Sequence, residues 1–294
     1  MTDVTEKKIM STPLISSQQL ADQLGDANIV ICDCRHDLMD LEKGRRAYAE
    51  GHIPGAHFIH LDEDLSGKKT GQNGRHPLPD IDSFAKTMGS IGIDGTKQVI
   101  AYDDAGGPYA ARLWWLLRWL GHDQVALLDG GINRWIAEGR AIDRVTPSAK
   151  PANFIAKQKN GMTVDANFIL ANIKQPSAIV VDARAPERYR GETEPIDAVA
   201  GHIPGALNRV FKNNLNTDGT FKSAAILKQE FAALLGGKSP SDVINQCGSG
   251  VTACHNLFAM EIAGLSGSKL YPGSWSEWCA DPARPVATGE ARDT

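Results

Sequence analysis

Gly51-His52-Ile53-Pro54-Gly55-Ala56 recurs as Gly201-His202-Ile203-Pro204-Gly205-Ala206. Upstream, Ile31-Cys32-Asp33-Cys34-Arg35 is echoed by Val180-Val181-Asp182-Ala183-Arg184. Downstream, Leu127-Leu128-Asp129-Gly130-Gly131-Ile132-Asn133-Arg134-Trp135 matches Leu270-Tyr271-Pro272-Gly273-Ser274-Trp275-Ser276-Glu277-Trp278. Landmarks repeated in one order at similar spacing mean a duplicated module. In the first copy, apolar β-branched runs at 28–33, 98–103 and 125–128 read as strands, and 81–91 and 108–120 as helices. In the second copy, strands are expected at 178–182, 242–246 and 269–271, with helices at 223–235 and 252–262. Strands alternating with helices predict an α/β fold of two tandem domains, each a mostly parallel central sheet flanked by helices. We place the domains at 12–140 and 164–290. The polar, proline-containing stretch 141–163 shows little periodicity and reads as the linker.

The 294 residues suffice for two cores, and 42% hydrophobic with 22% charged residues is a globular composition. A net charge of −4 gives no reason to expect nucleic acid or an anionic membrane as partner. Residues 1–14 lack both the apolar core of a secretory signal and the arginines of a transit peptide. The longest apolar run, 113–120, carries Arg118 and is too short to span a bilayer. The expected location is the reducing cytoplasm. Five cysteines, an odd number without metal-type spacing, suggest neither a disulfide framework nor structural zinc. Cys32 and Cys34 read as small core residues on a strand, and packing accounts for Cys254 and His255.

Chemistry concentrates in Val243-Ile244-Asn245-Gln246-Cys247-Gly248-Ser249-Gly250-Val251-Thr252-Ala253, where a strand delivers a cysteine into a glycine-rich turn ahead of a helix. Turn N–H groups and the helix dipole both favour a thiolate there. The bland alternative is a small buried cysteine at a strand end. Matching Ala110 to Ala253 places Asp104 opposite Cys247, so the amino-terminal copy is expected to be silent and the carboxy-terminal copy armed. Asp33 with Arg35 and Asp182 with Arg184 occur in both copies, as do His52 and His202, and read as structural.

The repeated Asp-x-Arg and GHIPGA elements, the Gly-Gly-x-x-x-Trp segment and the Cys loop together resemble the tandem-domain rhodaneses over residues 12–285. The loop Cys247 to Ala253 is similar to that of the 3-mercaptopyruvate sulfurtransferases. Members specific for thiosulfate carry two basic residues after the cysteine, where this chain has Gly248 and Ser249. The resemblance implies a sulfurtransferase that passes sulfane sulfur through a Cys247 persulfide, with Gly248, Gly250, Val251 and Thr252 lining the anion site. The acceptor would be cyanide or a thiol, such as thioredoxin or a small thiol, and no cofactor or metal is implied. It also implies a proton relay of Ser249, His76 and Asp62, with His60 as a rival for His76, and a substrate-binding Arg188. The spacing from Asp62 to His76 is longer than the family pattern. A second arginine that mercaptopyruvate-specific members place after a Glu-Pro is absent from Thr193-Glu194-Pro195-Ile196-Asp197, which leaves thiosulfate open as donor. Arg190 reads as a surface or salt-bridge residue. A phosphatase on the related fold would need a longer loop closed by an arginine, and Val251-Thr252-Ala253 has none. A non-catalytic binding module is the remaining alternative, opposed by the intact Cys loop.

Overall fold

The computed structural model describes residues 13–290; most of the amino-terminal segment read above as lacking a targeting signal, and residue 12, lie outside them. The first sheet contains β1 (Leu14–Ile15), β2 (Ile29–Asp33), β3 (Ala56–Phe58), β4 (Gln98–Tyr102) and β5 (Val125–Leu128) in the order β1-β5-β4-β2-β3. The second contains β6 (Ile179–Asp182), β7 (Leu207–Asn208), β8 (Val243–Gln246) and β9 (Lys269–Leu270) in the order β7-β6-β8-β9. Every pairing is parallel. In the second copy Thr163 makes a lone parallel bridge to Leu270 at the edge that β1 fills in the first.

The apolar runs become strands because helices cover both faces, so continuous hydrophobicity is tolerated along a strand. The very short β1, β3 and β7 carry no run long enough to announce themselves in sequence. The GHIPGA turns precede β3 and β7. In each, a glycine takes a left-handed conformation, Gly55 at φ +80° and Gly205 at +79°. His52 stacks on Tyr48 at 3.9 Å and bonds its carbonyl, and His202 does the same with Tyr189 at 3.8 Å. Arg35 forks onto Asp33 and donates to Gly51 O, while Arg184 forks onto Asp182 and donates to Gly201 O. These groups brace the GHIPGA turn against the strand end in both copies.

Helix Pro108–Trp119 is buried along most of its length because it covers its own sheet and also packs on helix Thr252–Ile262 of the other copy. Trp114 meets Phe258 edge-on at 5.0 Å, and one apolar core runs through both domains. The segment 144–160 forms no helix or strand, yet it is strapped to the first domain. Lys157 and Lys159 donate their N–H groups to Leu120 O and Trp119 O, carbonyls left over at a helix end, and Phe154 is buried. Cys32, Cys34 and Cys254 are buried in the core. Among the described residues no helix is long and apolar enough to cross a membrane.

Candidate active site

Strand β8 ends at Gln246, and Cys247 follows at the carboxyl edge of the sheet, where parallel folds gather their sites. The side chain is 2% exposed. Its Sγ accepts the Gly250 N–H at 3.1 Å. The Cys247 N–H donates to Ser274 Oγ, and Cys247 O and Gly248 O accept from Trp275 and Ser276, which lays the loop against helix Ser274–Trp278. Ser274 sits at φ +54°, uncommon for a side-chain-bearing residue, and bonds the loop from there. Gly250 is at φ +78°, and a Cβ there would stand 2.5 Å from Pro272 O, so only glycine fits the turn. The N–H groups of Gly248, Ser249, Val251 and Thr252 find no backbone or side-chain acceptor among the described residues. They form a concave donor array around the sulfur.

The strand register corrects the sequence alignment of the two copies. Asp33 pairs with Tyr102 in β4 as Asp182 pairs with Gln246 in β8, so the residue equivalent to Cys247 is Asp103, not Asp104. Asp104 is exposed. The buried Asp103 carboxylate accepts N–H groups from Ala105, Gly107, Tyr109 and Ala110 and so fills its own loop with an anion. Burial pushes it up to about 6, against the pull of these donors. A match of alanines misled the alignment by one residue because backbone pairing, not side-chain identity, sets equivalence here.

Ser249 and His76 meet across the domain boundary, with Ser249 Oγ 2.7 Å from His76 Nδ1. On the other side of the ring, His76 Nε2 lies 3.7 Å from Asp62 Oδ1, an ion-pair distance longer than a hydrogen bond. Lys69, from the inserted loop, donates to the same oxygen at 2.6 Å. Burial pushes the His76 imidazole well below its ordinary range, against the pull of Asp62. Burial raises Asp62, but the Lys69 hydrogen bond and the nearby histidines outweigh it and hold the carboxyl low. His60 is spent on structure: its Nε2 faces Leu41 O, and its Nδ1 accepts the N–H groups of Asp62 and Glu63. His36, which no sequence feature marked, is buried 3.7 Å from Asp62 Oδ2. Ligating atoms of His36, His60 and Asp62 lie within 4.8 Å of one another, but the His60 Nδ1 lone pair is already occupied.

Two guanidinium groups face the Cys loop. Arg188 donates to Glu194 at 2.6 Å and to Asp197 at 3.2 Å. Arg75, adjacent to His76, donates to the same Asp197. A Cβ on Gly248 would stand 2.8 Å from Arg75 Nη2 and 3.8 Å from both terminal nitrogens of Arg188. Asp197 thus occupies the segment where an arginine was looked for, and a cation from the other domain stands close by. Arg190 pairs with Glu192, and its side chain is partly exposed.

Arg112 is fully buried, and no carboxylate pairs with it among the described residues. Its guanidinium donates to Gly250 O in the Cys loop at 3.2 Å, to His76 O at 3.1 Å and to Leu65 O at 3.4 Å. It therefore ties the Cys loop to the segment that presents His76. An Arg112→Met variant leaves His76 O and Leu65 O without a donor and Gly250 O with only the Cys254 thiol, and is expected to lose roughly 3 kcal/mol of stability. Urea denaturation checks this, and an unchanged midpoint would contradict it.

A family profile for the Rhodanese-like domain matches the chain twice, over residues 16–138 and 165–281. The chain belongs to the rhodanese-like family. A Pseudomonas aeruginosa relative named "Probable 3-mercaptopyruvate sulfurtransferase" is 48% identical over 282 residues, 95% of this chain and 99% of the relative. The thiosulfate sulfurtransferase of Bos taurus is 32% identical over 294 residues, 98% of this chain and 97% of the relative. The crystal structure of SseA from Escherichia coli, described among 3-mercaptopyruvate sulfotransferases, superposes with a TM-score of 0.79 at 30% identity. That superposition covers 90% of this chain and 99% of that one. This rhodanese-like chain is a sulfurtransferase enzyme, as its relatives are.

Proposed function

We propose that the enzyme takes sulfur from 3-mercaptopyruvate onto Cys247 and passes it to a thiol or cyanide. The Cys247 thiolate attacks the donor sulfur, the C–S bond breaks, and its electron pair leaves on carbon as the enolate of pyruvate. The thiol proton of the donor travels through Ser249 and neutral His76 to that carbon, so Cys–S–S⁻ and pyruvate form with no outside proton. Asp62 orients the imidazole, as the third member of such chains does. Arg188 holds the donor carboxylate. Cyanide then attacks the outer sulfur, leaves as thiocyanate and restores the thiolate; a thiolate acceptor leaves as a persulfide. The loop N–H groups carry the negative sulfur in both states. In the first domain, Asp103 in the equivalent place leaves no nucleophile, and that domain serves by presenting His76 and Asp62.

The observation that carries the donor assignment is the 2.7 Å contact between Ser249 and His76. An enolate leaving group needs a proton, whereas sulfite leaving from thiosulfate does not. Thioredoxin or a small thiol as acceptor suits a reducing compartment such as the cytoplasm, in which the five unpaired cysteines stay reduced. Thiosulfate is the second reading, supported by the bovine relative. Steady-state assays with each donor and cyanide separate them. We expect kcat/KM for 3-mercaptopyruvate to exceed that for thiosulfate by about tenfold or more, in line with a proton-relay contribution. The reverse order would overturn the donor assignment.

A further inference from the structure

We propose that His36, a buried histidine of the first domain, donates its Nε2–H to Asp62 Oδ2 and is the positioning residue that holds this carboxylate toward His76. This rests on the relay of Ser249, His76 and Asp62 that the proposed reaction uses. Two independent features carry it.

The first is a pair of unpartnered atoms. His36 is 6% exposed, and neither of its ring nitrogens has a hydrogen-bond partner among the described residues. Asp62 Oδ2 is buried without a partner as well. The two orphans face each other, with His36 Nε2 3.7 Å from that oxygen. Buried polar atoms are rarely left single, because each has given up its bond to water. A shift of about 1 Å brings this pair to the distance of a charge-assisted hydrogen bond. Burial holds His36 below its ordinary range, against the pull of Asp62, so the ring is neutral and carries one N–H. Nε2 is the nitrogen with an acceptor in front of it, which places the proton there. The other oxygen, Oδ1, is shared between Lys69 at 2.6 Å and His76 at 3.7 Å. Lys69 is half exposed and cannot alone stop the carboxylate from turning. A donor on Oδ2 fixes the carboxylate plane, keeps Oδ1 toward His76 Nε2 and leaves His76 Nδ1 to face Ser249.

The second feature is that His36 is firmly held yet does nothing for the repeated module. Helix Lys43–Glu50 packs onto its backbone, where a Cβ on Gly44 would stand 1.9 Å from Arg35 O and 3.3 Å from His36 N. The ring stands edge-on to His60 and to Tyr109, each at 5.3 Å. The second copy does without it. There the Asp-x-Arg brace is followed by Ala185, and, counting on from the GHIPGA turns, His60 and Asp62 stand opposite Val210 and Lys212. The fold therefore needs no histidine at this place; one occurs in the copy that supplies the relay carboxylate, and it faces that carboxylate.

Substitutions that shift the donor along the side chain test this. The amide nitrogen of glutamine matches imidazole Nε2 in position, and that of asparagine matches Nδ1. H36F fills the ring space without an N–H and is expected to lower kcat for 3-mercaptopyruvate about tenfold, the scale of a hydrogen bond to a charged group, with KM nearly kept. Thiosulfate turnover should fall far less. H36Q should recover most of the loss and H36N little of it. Proton–nitrogen correlation NMR of the histidine side chains reads the same contact without any donor: His36 should be protonated at Nε2, and D62A should move that proton's resonance. A His36 protonated at Nδ1, an Nε2–H resonance that D62A leaves in place, or equal losses in H36F and H36Q overturns the proposal. So does an H36F that slows both donors alike. If His76→Ala keeps full 3-mercaptopyruvate turnover while the NMR shows the bond to Asp62, the relay falls, and with it the positioning role, and the hydrogen bond alone stands.

Discussion

Cys247→Ser is expected to abolish turnover with 3-mercaptopyruvate and with thiosulfate alike, by on the order of 10⁴-fold or more, as when a covalent nucleophile is removed elsewhere. A serine hydroxyl is not ionised near neutral pH and makes no sulfur–sulfur bond. The fold should be untouched. Among the described residues the Cys247 sulfur accepts one hydrogen bond, from Gly250 N–H, and a hydroxyl can accept the same bond. Turnover measured beside a thermal melt separates the two effects. A serine variant that turns over either donor at a substantial fraction of the wild-type rate contradicts the nucleophile assignment.

The second large effect is expected at His76. His76→Ala should lower kcat for 3-mercaptopyruvate by about 10²- to 10⁴-fold, the range for a positioned acid–base group. Thiosulfate turnover should fall far less, because sulfite departs as an anion that needs no proton. Equal losses with both donors would remove His76 from the relay. The burial that holds His76 neutral in the folded chain also sets a sign for stability. Its folded value lies below the unfolded one, so on acidification the unfolded chain takes up the proton first. His76 therefore contributes to loss of stability as pH falls below about 6.5, the unperturbed value. His76→Ala should flatten that part of the stability profile.

Much of this architecture was legible in the chain. Strand–turn–helix punctuation around Cys247 and the GHIPGA repeat carry local signals that survive folding unchanged, and the expected strands and helices recur within about a residue of their ends. What escaped was what tertiary contact decides. Asp103 took the Cys247 position because strand pairing, invisible to a match of Ala110 with Ala253, sets the register. Arg75 escaped because its partner Asp197 is remote in sequence, and nothing in Gly74-Arg75-His76 says which way the guanidinium points. His36 beside Asp62 has no local signature at all. The segment 144–160 has no periodicity, yet it makes backbone bonds to the leftover carbonyls of helix ends that composition does not report.

The first domain gains a physical purpose from these contacts. It lends His76 to Ser249, Arg75 to the space beside Gly248, and Arg112 to the Cys loop from beneath. The duplication thus yields one site built from both copies.

Sulfur taken from the donor is expected on Cys247. Mass spectrometry of the enzyme after exposure to 3-mercaptopyruvate without acceptor, followed by peptide mapping under non-reducing conditions, tests it most directly. One added sulfur is expected on the peptide containing Cys247, removed by cyanide and absent from Cys247→Ser. An added sulfur that persists in that variant, or that maps to Cys254 or Cys279, would contradict it.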